Sequence, residues 1–373
     1  MSSALTDLVP QPIVQAPMAG GVSVPQLAAA VSEAGGLGFL AAGYKTADGM
    51  YQEIKQLRGL TPRPFGVNLF VPQPEHPGAG SGSAAAAGAA PFDAGAVEVY
   101  THQLAGEAAW YETELGDPDS GRDDGYDAKL AVLLDNPVPV VSFHFGVPDR
   151  EVIDSLRRAG TFTLVAATTA EEARAVERAG ADAVIAQGVE AGGHQGTHRD
   201  VPENDGSGLG LLALLALVRE AVRIPVVAAG GIMRGGQIAA VLAAGASAAQ
   251  LGTAFLATPE SGAPDLHKQA LTNPLFARTE LTRAFSGRPA RGLVNRFLRE
   301  HGPYAPAAYP EVHHVTAPLR RAAAKAGDAQ GMALWAGQGH RLARELPAGQ
   351  LVEALAAELA EARTALSAGG DAR

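Results

Sequence analysis

The stretch IVQAPMAGG, residues 13–21, decides between two ways of arranging a parallel sheet. Its apolar start reads as a strand over Ile13 to Ala16, and the chain then runs into Pro17-Met18-Ala19-Gly20-Gly21. A doubly wound open sheet is expected to carry a GxGxxG phosphate loop directly after its first strand. The glycines here do not have that spacing. The later AGGLGF (34–39) has too few residues between glycines, and reads as a helix C-cap followed by a strand start.

Working outward, short β-rich runs alternate with helix-like segments. Further strands are expected at Leu37 to Ala41, Phe65 to Phe70, Val138 to Phe143 and Phe162 to Ala166. Others follow at Ala183 to Ile185, Val226 to Ala228 and Ala248 to Leu251. Val24 to Ala34 reads as a helix with a capping box of Ser23 and Gln26. A second box, Thr168-Thr169-Ala170-Glu171, opens a helix that ends at Ala179-Gly180. Strands alternating with helices mean a parallel sheet, and about eight such units in ~255 residues match an α/β fold of the (β/α)8 TIM-barrel type.

Two regions break the alternation. Residues 72–92 are low-complexity, rich in Pro, Gly, Ala and Ser, and read as a mobile loop. Residues 259–340 read as a smaller, mainly helical module following a barrel over 1–258. In the 341–373 tail, Leu351, Leu355 and Leu359 fall at helical spacing, which suggests a helix packed back on the barrel.

Composition narrows the chemistry. The 373 residues carry a formal net charge of −10 without a long basic run, which argues against a nucleic-acid partner. There are no cysteines, so thiolate metal sites, Fe–S clusters and cysteine nucleophiles are excluded. No apolar run approaches the roughly 18 residues of a membrane span, and the N-terminus lacks signal-peptide features. The expectation is a soluble cytoplasmic protein without a membrane partner, with homo-oligomerisation left open.

In a (β/α)8 barrel, chemistry sits on the loops after the strands. Gly230-Gly231 and Gly252-Thr253 each end a strand and precede a helix, at the two positions where barrels commonly hold phosphate. Asn68 and Gln187 end two other strands. Each amide could face a ligand or simply cap a turn. His194, in EAGGHQG (190–196), lies beyond Gly192-Gly193 above the expected barrel mouth, which makes it a candidate general base. His144, between Phe143 and Phe145, is a core or a pocket histidine, and His313-His314 could face the mouth or solvent. His198 follows His194 by four residues, but Gly196 disfavours a helix there, no HExxH is present, and no metal is expected. These residues alone give a barrel, a phosphate-bearing ligand and a histidine above it.

Several stretches taken together resemble the nitronate monooxygenases, formerly 2-nitropropane dioxygenases. They are PIVQAPMAGG (12–21), AGGLGFLAAG (34–43), PFGVNLF (64–70), VVSFHFG (140–146) and QGVEAGGHQG (187–196). PVVAAGGI (225–232), QLGTAFLAT (250–258), FSGRPARGLVN (285–295) and LWAGQG (334–339) continue the series, and VVSFHFG and LWAGQG are similar to the class I branch. The resemblance implies an FMN-dependent barrel with a smaller substrate or lid domain over 259–340, which oxidises alkyl nitronates, and nitroalkanes after His194 removes the α-proton, with O2 to a carbonyl compound and nitrite. It implies flavin-binding roles for Met18, Asn68, Gln187, Gly192, Gly193, Gly230, Gly231, Gln250, Leu251, Gly252 and Thr253. His194 matches the catalytic histidine and His144 a second active-site histidine. Tyr111, Tyr304 and Tyr309 are candidates for pocket tyrosines. A flavin-type enoyl reductase, which shares a similar EAGGH stretch, and an NAD(P)H:quinone reductase are the alternatives on this scaffold. From another class, the chain could be a flavin- or phosphate-binding protein without turnover.

Overall fold

A computed structural model describes residues 5–72, 93–200 and 208–370. In chain order the strands are β1 (Ile13–Gln15), β2 (Gly38–Ala41), β3 (Phe65–Phe70), β4 (Val140–His144), β5 (Phe162–Ala167) and β6 (Ala183–Gln187). Then come β7 (Gly193–His194), β8 (Val226–Ala229), β9 (Ala248–Leu251), β10 (Thr279–Thr282) and β11 (Ala290–Leu293). Eight of them form one parallel sheet in the order β1-β9-β8-β6-β5-β4-β3-β2. A parallel bridge from Val14 to Leu37 joins its two ends. Leu37 N donates to Ile13 O and Gln15 N to Leu37 O, both at 2.9 Å, so the sheet closes into the expected (β/α)8 barrel.

The alternation of side chains along each strand builds two apolar layers. Outward residues such as Val67, Val165 and Val184 pack under the helices. Inward residues such as Val14, Phe39, Leu164 and Val227 fill the barrel. Gly66 leaves room for the Phe39 ring, since a Cβ there would lie 2.2 Å from Phe39 Cε1. Leu5, Leu8 and Val9 pack against this inner cluster. On β3 the inward register that carries Gly66 also carries Asn68, which brings its amide toward the C-terminal mouth.

Two helix starts differ from expectation. Val24, not Ser23, is the N-cap of helix Pro25–Glu33, without a side-chain cap bond. The Ser23 hydroxyl instead accepts from Met18 N (2.9 Å) and Gln15 Nε2 (3.0 Å), which ties down the Ala16–Gly21 loop. The second box is displaced by one residue. Thr169 caps Glu172 N, and Glu172 Oε2 accepts from Thr168 N at 2.6 Å. That helix does end at Ala179, with Gly180 at φ +90°.

Residues 73–92 of the low-complexity stretch lie outside the described residues. Between 259 and 340 the chain forms helices such as Glu311–Lys325, and also β10 and β11. β10 and β11 pair antiparallel, and β11 pairs on its other side with β7. A separate apolar cluster joins this region to helix Ala94–Gln103 through Val97, Tyr100, Phe285, Phe297 and Val312. Helix Ala348–Gly370 buries Leu351, Leu355 and Leu359 in the main core. Its Glu358 accepts from Gly235 N at 2.7 Å, at the start of helix Gly235–Ala243. Among the described residues no helix is long and apolar enough to cross a membrane.

Candidate active site

A cavity of about 510 Å³ opens at the C-terminal ends of the barrel strands. Every residue for which the resemblance implies a catalytic or flavin-binding role lines it. Met18 comes from the loop after β1, Asn68 from β3 and His144 from the end of β4. Gln187 ends β6, and Gly192, Gly193 and His194 follow it. Gly230 and Gly231 follow β8, while Gln250, Leu251, Gly252 and Thr253 close β9.

Gly192, Gly230 and Gly231 are demanded by conformation or by space. Gly230 and Gly231 take φ of +134° and +67°, a region that favours glycine. A Cβ on Gly192 would lie 2.5 Å from Gly337 N, so the EAGGHQG and LWAGQG segments touch backbone to backbone. Gly337 N also donates to Thr253 Oγ1 at 2.9 Å, and Gln338 N to Glu190 O at 3.0 Å. The carboxylate of Glu190 caps helix Leu211–Ala221 by accepting from Leu211 N at 2.9 and 3.0 Å.

His194 is held from all sides. Gly193 and His194 form β7, in which His194 stands opposite Ala290 and Gly193 opposite Arg291. The loop is thus annexed by a sheet whose other strands lie about a hundred residues later. The His194 carbonyl accepts from Gln187 Nε2 (3.2 Å) and His144 Nε2 (3.4 Å). Gln187 Oε1 accepts from Gly196 N at 2.6 Å, so this amide staples the loop with both its ends. The His194 ring bonds through Nε2 to Ser286 Oγ at 2.9 Å. Phe145 stands edge-on to it at 5.6 Å, with Tyr309 and Trp335 each at 5.7 Å.

These surroundings keep the imidazoles neutral. Burial, and then the Arg288 guanidinium, hold His194 well below its ordinary value. The same causes push His144 down to about 4. Arg288 is fully buried, its guanidinium 4.1 Å from the centre of the Phe145 ring. Phe145 itself sits at φ +74°, an uncommon conformation for a side chain of this size.

Several cavity residues escaped the sequence reading. Tyr44 lies just past the end of β2, the same kind of strand-end position as Asn68 and Gln187. Its ring stacks on His313 at 4.0 Å. His313, Ala317, Arg320 and Ala324 line the cavity from one face of helix Glu311–Lys325. That 3.6-residue spacing is visible in the sequence but looks like ordinary amphipathicity. Burial pushes Arg320 down to about 10, and its Nη2 donates to His313 O at 3.0 Å. Of the three candidate tyrosines, Tyr309 packs beside His194 and donates to the Tyr44 hydroxyl at 3.2 Å. Tyr111 donates to Asp328 instead, and Tyr304 is 66% exposed. His314 Nε2 meets Gly121 O at 2.8 Å, outside the cavity lining. His198 is occupied by the Ala166 carbonyl and by Glu172, each at 2.7 Å.

Comparison with known proteins matches this geometry to a family. The sequence profile described as nitronate monooxygenase matches residues 2–358. The nitronate monooxygenase of Pseudomonas aeruginosa is 45% identical over 94% of this chain and 97% of its own length. That of Paraburkholderia phytofirmans is 42% identical over 94% and 93%. A crystal structure of nitroalkane oxidase from Streptomyces ansochromogenes superposes with a TM-score of 0.92 at 84% identity, covering 98% of this chain and 100% of that one. FabK of Thermotoga maritima shares the fold more distantly, with a TM-score of 0.73 at 31% identity over 98% of each chain. The chain belongs to the nitronate monooxygenase family, a family of flavin-dependent oxidoreductases.

Proposed function

We propose that the protein binds FMN in this cavity and oxidises alkyl nitronates, and nitroalkanes after deprotonation, with O2 to a carbonyl compound and nitrite. The carrying observation is a half-buried His194, its carbonyl held by Gln187 and His144 and its ring by Ser286, in the same cavity that Gly230-Gly231 and Gly252-Thr253 line. The residues fit the cofactor. Gln250 Oε1 is buried without a hydrogen-bond partner among the described residues, as a ligand N–H would require. Asn68 spends its Nδ2 on Ser142, at 3.0 and 3.2 Å, which leaves its oxygen for the cavity. Gly230, Gly231, Gly252 and Thr253 would hold the phosphate through backbone amides. Met18, Leu251, Gln187, Gly192 and Gly193 would border the flavin. The barrel over 1–258 would carry the cofactor, 259–340 the substrate face, and 341–373 the packing helix.

Bound FMN would supply the one-electron redox chemistry. His194 would take the α-proton of a neutral nitroalkane, for which a neutral imidazole is the competent form. With a nitronate already deprotonated, it would position the anion and stabilise it electrostatically. His144 would act through the His194 carbonyl as well as lining the pocket. Phe145, Tyr309 and Trp335 would shield the faces of the His194 ring that they cover.

The test is nitrite release from a panel of nitronates by the yellow holoenzyme, with His194→Asn assayed on nitronate and nitroalkane. A larger loss on the nitroalkane is expected. Equal loss on both would remove the base role, and full activity on both would remove any catalytic role. The likeness to FabK keeps an enoyl thioester with NAD(P)H as the control substrate, and rapid NAD(P)H consumption there would favour the reductase reading.

A further inference from the structure

Ser286 lies in FSGRPARGLVN and is 1% exposed at the cavity wall. Its hydroxyl has a single proton to give and three neighbours: His194 Nε2 at 2.9 Å, Arg288 O at 3.2 Å and Arg288 N at 3.4 Å. The amide of Arg288 can only donate. Arg288 O belongs to a fully buried residue, and Ser286 Oγ is its only side-chain donor among the described residues. A buried carbonyl left without a donor costs about 1–3 kcal/mol. The serine proton therefore goes to Arg288 O, and Oγ faces His194 as an acceptor. A neutral imidazole has one N–H and one lone pair. If Nε2 carries the hydrogen, the lone pair is on Nδ1. Among the described residues Nδ1 makes no hydrogen bond, and it is not among the sealed, unpartnered atoms. It is open to the cavity.

We infer that Ser286 is a positioning residue that fixes His194 as the Nε2–H tautomer, so that Nδ1 is the atom that accepts the substrate proton. This rests on the proposed deprotonation for its use, but not for its first test. The proton passes from the substrate α-carbon to Nδ1. The C–H electron pair stays on the substrate as the nitronate, and the resulting imidazolium keeps Nε2–H donated to Ser286 Oγ. The serine proton does not move.

The experiment uses the FMN-loaded enzyme labelled with 15N at histidine. Long-range 1H–15N spectra distinguish a bare from a protonated ring nitrogen, and His194→Asn identifies the His194 signals. The expected result is bare Nδ1 and protonated Nε2 in the parent protein, with a mixture of tautomers in Ser286→Ala. In the same variant the ratio of nitroethane to ethyl nitronate turnover should fall about three- to tenfold, the value of one ordinary hydrogen bond. A protonated Nδ1 in the parent protein overturns the inference. So does a Ser286→Ala variant with unchanged tautomer, or with equal losses on both substrates. If the tautomer is as stated but no nitronate yields nitrite, the proposed function fails and the tautomer assignment stands.

Discussion

Two adjacent glycines in EAGGHQG should respond very differently to the same substitution. A Cβ on Gly192 would lie 2.5 Å from Gly337 N and 2.6 Å from the Ala336 carbonyl carbon, both backbone atoms. Moving from 2.5 Å to ordinary contact at 3.4 Å means a retreat of about 0.9 Å by one of the two segments. That retreat would break the 2.9 Å bond from Gly337 N to Thr253 Oγ1 and the 3.0 Å bond from Gln338 N to Glu190 O. Two hydrogen bonds at about 1 kcal/mol each, with overpacking of about 1–2 kcal/mol, give roughly 3–4 kcal/mol for Gly192→Ala. A Cβ on Gly193 would meet nothing within 4 Å, and only its φ of +73° opposes a side chain. Gly193→Ala should therefore lose about 1 kcal/mol. Urea unfolding of the holoenzyme measures both losses, and flavin fluorescence on titrating apoprotein gives the FMN affinity. Gly192→Ala should weaken FMN binding about tenfold, because Thr253, proposed to hold the phosphate, loses its partner. Comparable losses in the two variants, or native FMN binding by Gly192→Ala, would refute the reasoning.

Three further outcomes are expected. His267 is 5% exposed, held by the Trp335 carbonyl at 2.9 Å, and pushed by burial from 6.5 to about 4. Its neutral form therefore stabilises the fold fully above the unfolded value and loses that contribution as pH falls toward 4. His267→Gln should shrink the drop in urea stability between pH 7 and 4.5 by up to about 2.5 kcal/mol. Arg320 is a cavity-lining cation with no carboxylate hydrogen-bonded to it among the described residues. Arg320→Gln should raise KM for an anionic nitronate severalfold and change KM for the neutral nitroalkane little, by initial-rate assay. Gln187→Leu removes one of the two donors to the His194 carbonyl and frees Gly196 N, so kcat on nitroethane should fall roughly tenfold, while the far-UV circular dichroism stays that of the parent protein.

The barrel was legible because its signals are local. Each strand is a short β-rich run, and the absence of GxGxxG after Ile13-Val14-Gln15 is a fact about adjacent residues. The cavity lining followed from the fold, since strand ends converge in a (β/α)8 barrel. What the sequence hid depends on distant partners. Ser23 looks like a helix cap, but the loop after β1 claims its hydroxyl. Nothing local says that both ends of the Gln187 amide also hold the EAGGHQG backbone. No local pattern marks Gly193-His194 as a strand, because β11 lies about a hundred residues away.

That distant pairing explains how one loop can be both adaptable and exact in placement. Glycine lets the EAGGHQG backbone approach the LWAGQG segment, and unconstrained glycine would also let it wander. Here the freedom is removed by neighbours from several parts of the chain. β11 fixes the backbone direction, Gln187 and His144 grip the His194 carbonyl, and Ser286 meets the ring. The barrel supplies Gln187 and His144, while the later sheet region supplies β11 and Ser286. A shift of the sheet region against the barrel would move His194, the proposed base, relative to the glycines proposed to hold the phosphate. The apolar packing of Phe285, Phe297 and Val312 against Val97 and Tyr100 then helps to set the position of His194, although none of those five residues lines the cavity.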